Sequence, residues 1–101
     1  MGFLIKIDKQ LVNNKYWDET DIVIVYALDY CTIGISPVRI PDWERTALYE
    51  TITEILKTTD MSFIIELDDD IVDFYRIKER KHVISGYKDF VLVTVTNGNK
   101  E

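Results

Sequence analysis

Residues 22–28, Ile-Val-Ile-Val-Tyr-Ala-Leu, form an uninterrupted apolar run that opens on four consecutive β-branched side chains. The run falls far short of the roughly 20 residues that a membrane-spanning helix needs. Its β-branched residues lose rotamer freedom in a helix, whereas a short strand covered on both faces suits a continuous apolar run. A helix opened by Asp18 and Asp21 and closed at Gly34 is the competing reading. The four β-branched residues favour the strand, and a buried strand needs a sheet around it.

Partners for that strand are legible elsewhere. Residues 3–7 are β-prone and lead into a polar stretch with an Asn13-Asn14 turn pair. Residues 32–40 are predicted as an extended edge segment, because Pro37 removes a ladder donor and Pro41 biases Ile40 away from helix. Residues 62–67 and 90–96 also suit strands, with a turn or tail at Asn97-Gly98-Asn99. The main helix is expected at about 42–58. Pro41 and Asp42 give a start signal, and Trp43, Ala47, Leu48, Ile52, Ile55 and Leu56 fall three and four residues apart. Residues 71–81 suit a strand slightly better than a helix: Ile71, Tyr75 and Ile77 alternate with Val72, Phe74 and Arg76, although acids in front and bases behind would also complement a helix dipole.

A chain of 101 residues, 47% hydrophobic and 30% charged, supports one compact domain over residues 1–101. The expected fold class is α+β: a single small domain with a mostly antiparallel sheet of about five to six strands packed against one main amphipathic helix, in the order β-β-β-α-β-β-β. The first residues carry no signal-peptide pattern, and Lys6 stands where a myristoylation motif has Ser or Thr. One cysteine, Cys31, makes no intrachain disulfide, so a reducing, cytoplasmic setting is expected, with Cys31 as a packed core thiol. No membrane association is expected.

Chemistry-bearing motifs are sparse. The glycines match neither a dinucleotide-binding nor a P-loop pattern, and one Cys with one His, His82, makes a poor zinc set. His82 reads as a surface residue. An EF-hand counted from Asp68 would place Asp73 where glycine is required, although Glu79 matches the final ligand. No cofactor, metal or catalytic residue is therefore assigned.

The net charge of −6 is unevenly distributed: residues 60–75 hold six acids and no base, whereas residues 76–88 hold five bases and one acid. The acidic segment is the candidate partner-binding face, through Asp68, Asp69, Asp70 and Asp73, because acidic surfaces steer basic partners. Asp18, Glu19 and Asp21 form a second acidic group. Trp17 and Tyr75 lie beside these acids and are of the types enriched at binding hot spots. The basic strip Arg76, Lys78, Arg80, Lys81 and Lys88 is the only nucleic-acid candidate. Its acidic flank would repel phosphates, so direct nucleic-acid binding is disfavoured.

In size and charge the chain resembles small inhibitors: antidotes or immunity proteins that neutralise a basic toxin, and phage or mobile-element anti-defence proteins, such as anti-CRISPRs, that occupy a nucleic-acid site on an enzyme. The resemblance implies a non-catalytic inhibitor docking on a basic protein surface. The alternatives are a small enzyme acting on a nucleotide or oligonucleotide in a dimer cleft, and a structural subunit of a larger assembly. Edge strands also allow a homodimer.

Overall fold

The computed structural model describes residues 2–12, 15–87 and 89–99. In chain order the elements are β1 (Phe3–Asp8), α1 (Lys15–Glu19), β2 (Ile22–Ala27), β3 (Thr32–Ser36), α2 (Pro41–Thr46), β4 (Tyr49–Thr58), β5 (Ser62–Leu67), α3 (Asp69–Tyr75), β6 (Arg80–Tyr87) and β7 (Phe90–Asn99). Short 3-10 turns lie at Lys9–Leu11 and Ile77–Glu79. The strands form one antiparallel sheet of seven, ordered β1-β5-β4-β2-β3-β7-β6. The domain is α+β with a mostly antiparallel sheet, as expected, but it has more strands than anticipated.

The β-branched run is β2, and it lies at the centre of the sheet between β3 and β4. Alternate residues on one sheet face, among them Ile5, Ile7, Val23, Val25, Ile33, Ile35, Phe63, Ile65, Val91 and Val93, make a single buried core. Each such side chain contributes about 1.5–3 kcal/mol on burial. The sheet curls until its two edge strands, β1 and β6, lie close, giving a nearly closed barrel. At that seam the Phe3 ring meets the His82 ring edge-on at 5.6 Å. Farther along, the backbone of Leu11 lies so tightly on Gly86 that a Cβ there would overlap the Leu11 carbonyl.

The long helix is not formed. α2 ends at Thr46, Ala47 is already extended with ψ 143°, and the next ten residues are β4. Tyr49, Thr51, Ile52, Thr53 and Ile55 favour a pleated strand. The backbone N–H of Leu48 donates to the Ala27 carbonyl, and from there β4 runs in register with β2 from Ala27↔Tyr49 to Ile22↔Glu54. Two flanking strands outcompete a helix whose apolar stripe would have had one sheet face to cover.

Three other expectations change. Residues 71–81 split: α3 takes Asp69–Tyr75 and ends at Arg76, whose φ of 51° is left-handed, before β6 begins at Arg80. β3 stops at Ser36, before Pro37, and is interior because β7 pairs with its free side. β7 continues through Asn99, so residues 97–99 extend a strand instead of forming a turn. The Asn13-Asn14 pair lies outside the described residues.

α2 covers part of the outer sheet face. Trp43 packs against Tyr26 and Phe90 at ring separations of 5.4 and 4.6 Å, in space that a side chain at Gly34 would fill. Below it, the Tyr26 hydroxyl donates to Glu44 at 2.5 Å, and the Arg39 guanidinium bridges Glu44 and Glu50 at 2.7 and 3.0 Å. Burial first, and then the bond to Glu44, push Tyr26 from its ordinary value of 10 up to about 12. A raised folded value means that this contribution is fully present below pH 10 and is lost as pH rises towards 12. Denaturant midpoints are therefore expected to fall over that window, and Tyr26→Phe should flatten the fall. The hydroxyl of Tyr26 also holds the Glu44 carboxyl below its ordinary value, with Arg39 assisting. That part of the stability is present above the carboxylate range and is lost on acidification through it.

Candidate docking site at the α3 end

Asp68 follows β5 and caps α3. Its Oδ1 accepts the N–H of Ile71 at 2.8 Å, and its Oδ2 accepts the Tyr49 hydroxyl at 3.2 Å. Asp69 and Asp70 occupy the first turn, where carboxylates complement the positive end of the helix dipole. Much of the acidic cluster thus has a local structural cause. Asp68→Ala is expected to cost about 0.5–2 kcal/mol as a lost N-cap, measured as a shift in the denaturant midpoint. It should not be used as a pure charge deletion.

Tyr75 secures the other end of α3. Its hydroxyl donates to the carbonyls of Asp29 and Thr32 at 2.6 and 2.9 Å, which latches the helix to the β2–β3 turn. Burial pushes this hydroxyl well above its ordinary value, with the Asp29 carboxylate adding to the effect. The latch brings Tyr30 beside Phe74, with the rings stacked at 5.8 Å and 25°. Next to this pair lies a cleft of about 340 Å³ lined by Ala27, Leu48, Tyr49, Asp70, Ile71 and Phe74. Its rim is solvent-facing: Tyr30 is 71% exposed, Leu48 51%, Phe74 48% and Tyr49 42%. The Tyr49 hydroxyl is raised by desolvation and by Asp68 and Asp70. Beyond the Tyr49–Asp68 bond, a second cleft of about 290 Å³ is lined by Gly2, Thr53, Glu66, Leu67, Asp68 and Asp69.

The sequence-based candidates divide in three. Asp68, Asp69, Asp70 and Asp73 are gathered on and around α3, with Asp69, Asp70 and Asp73 exposed. Trp17 and Tyr75 are core residues, 1% and 0% exposed, so neither can touch a partner. Trp17 packs on Phe63 at the start of β5, whereas α3 leaves from the end of that strand. Asp18, Glu19 and Asp21 are exposed beside Trp17, about 17 Å away along the six-residue β2. The two acidic groups therefore do not form one face.

The other candidates also find their places. Cys31 is exposed in the β2–β3 turn and is not a core thiol; its N–H donates to Asp29 Oδ1 at 2.8 Å, which fixes a tight polar turn. His82 is half-buried against Phe3. The basic strip is partly consumed within the chain: Arg76 pairs with Glu79 at 2.7 Å, and Arg80 donates to the carbonyls of Tyr75, Val95 and Thr96. Lys88 lies outside the described residues.

Leu48, Tyr49 and Phe74, which give the cleft its apolar walls, were not expected at a site. Leu48 belongs to the expected helix stripe, Tyr49 falls within the expected helix but outside that stripe, and Phe74 lies in the segment that suits a strand slightly better than a helix. The β-branched content of residues 49–55 was the available signal. Among the described residues, no group of three or more His, Cys, Asp or Glu side chains is arranged to hold a metal. Burial pushes the hydroxyls of Tyr26, Tyr49 and Tyr75 upward, and the Tyr26 hydroxyl holds the Glu44 carboxyl down. No described helix is long and apolar enough to cross a membrane. No protein-family model matches this chain, nor does any curated protein or solved structure.

Proposed function

We propose that this chain is a non-catalytic binding protein that docks the α3 end of its barrel on a basic protein surface and acts as an inhibitor by occupying it. The observation that carries this reading is the exposed aromatic cleft lined by Asp70, with Asp69 and Asp73 exposed on the same short helix; the three carboxylates make no ion pair or hydrogen bond among the described residues. Apolar anchors within a like-charged rim combine burial with electrostatic steering. A basic surface that normally binds nucleic acid, on an enzyme or a toxin, has the complementary charge. The single exposed thiol of Cys31 fits a reducing cytoplasm.

The test is the affinity of the purified chain for a basic protein recovered with it, measured across ionic strength. Between about 0.05 and 0.5 M salt the Debye length falls about threefold, so affinity should drop by about tenfold or more. The combined variant Asp69→Asn, Asp70→Asn, Asp73→Asn should weaken binding at low salt by a similar factor and leave the cap at Asp68 intact. An affinity indifferent to both salt and the triple variant would refute docking through this face.

A further inference from the structure

We infer that the cleft between β4 and α3 is a receptor for a single arginine side chain of the partner, its guanidinium lying against Phe74 and Tyr49 and its charge meeting Asp70. This inference rests on the acidic-docking reading and names the group that reading leaves open. The cleft walls are apolar or aromatic, and Asp70 is the one charged residue among the described residues lining it. A side chain entering it must therefore offer apolar or π-stacking surface along most of its length and positive charge at one point.

Lysine meets the charge requirement poorly, because its ammonium is a compact and strongly hydrated point charge. The guanidinium is planar and weakly hydrated, stacks on aromatic faces and can pair with a carboxylate through two parallel bonds. The stacked Tyr30 and Phe74 rings extend the aromatic surface beyond the cleft mouth, where an arginine stem or a neighbouring partner residue would rest. Asp70 has no hydrogen-bond or ion-pair partner among the described residues, so it need not break one to accept a guanidinium. The second cleft differs: Glu66 there is already engaged by the Gly2 N–H at 2.8 Å, and Asp68 by the helix cap. None of the described residues lining it is aromatic.

The experiment compares acetylated hexa-arginine and hexa-lysine peptides, equal in charge, binding to the intact chain in calorimetric titrations at low ionic strength. Hexa-arginine is expected to bind about tenfold more tightly, the margin provided by stacking and paired hydrogen bonds. Asp70→Asn and, separately, Phe74→Ala should each reduce that preference to within about twofold while hexa-lysine binding changes less. Asp18→Asn with Glu19→Gln, at the far end, should leave the preference intact. Asp70→Asn keeps the side-chain volume and tests the site even if Phe74→Ala fails to fold. Equal binding of the two peptides, or a preference that survives both cleft variants, overturns the arginine receptor and leaves acidic docking standing. Failure of both peptides to bind overturns both.

Discussion

Trp17→Ala is expected to be among the most damaging single changes in the chain, lowering unfolding free energy by about 3–5 kcal/mol, the usual cost of deleting a large buried aromatic side chain. Trp17 is 1% exposed, its ring packs on Phe63 at 5.6 Å, and its Nε1–H donates to the Asp89 carbonyl at 3.0 Å. It therefore joins α1, β5 and the β6–β7 turn at one end of the barrel. Small domains have about 5–15 kcal/mol in total, so much of the cooperative transition would be lost. The check is a urea titration followed by far-ultraviolet circular dichroism, because Trp43 would still fluoresce. A midpoint close to that of the parent would remove Trp17 from the core.

Tyr75 does the equivalent work at the other end, and its replacement separates packing from hydrogen bonding. Tyr75→Ala should cost about 3–5 kcal/mol, because a fully buried aromatic side chain is removed. Tyr75→Phe should cost only about 1–2 kcal/mol, since the ring stays and the hydroxyl bonds to Asp29 and Thr32 go. The Thr32 carbonyl keeps the N–H groups of Leu28 and Asp29, so the unmet acceptor is mainly that of Asp29. The phenylalanine variant has a functional consequence as well. Without the latch, Tyr30 is no longer held against Phe74, and arginine-peptide affinity should fall further than stability alone requires. Urea titrations and peptide titrations on the same preparations measure the two effects side by side.

How much of this could be read from residues alone depends on whether the deciding interaction is local. Residues 22–28 disclose β2 because four adjacent β-branched side chains oppose helix without any knowledge of the neighbours. The same chemistry is present at Thr51, Ile52, Thr53 and Ile55, but there it competes with a three- and four-residue apolar spacing. What decides between them is pairing with β2 and β5, which is remote in sequence. Residues 69–75 illustrate the converse. Asp68 is the helix cap, and the acids after it complement the dipole, so the charge pattern first taken for a binding face was also a local helix signal.

The site was half legible for the same reason. Charge is a property of a segment, and most of the acidic run at residues 60–75 lies on and around α3, beside the proposed cleft, with Asp60 at the opposite end of β5. Burial is a property of the fold, so Trp17 and Tyr75 could not be separated from Tyr30 and Phe74 by residue type. The cleft itself exists only because β4 begins where the expected helix would have continued.

The most direct measurement is a two-dimensional amide nuclear magnetic resonance titration of the labelled chain with acetylated hexa-arginine. Docking at the α3 end predicts that the largest shift changes fall at Ala27, Tyr30, Tyr49, Asp70 and Phe74, and that they shrink as salt is added. Changes centred on Asp18, Glu19 and Asp21, or spread evenly over the acidic residues, would contradict it.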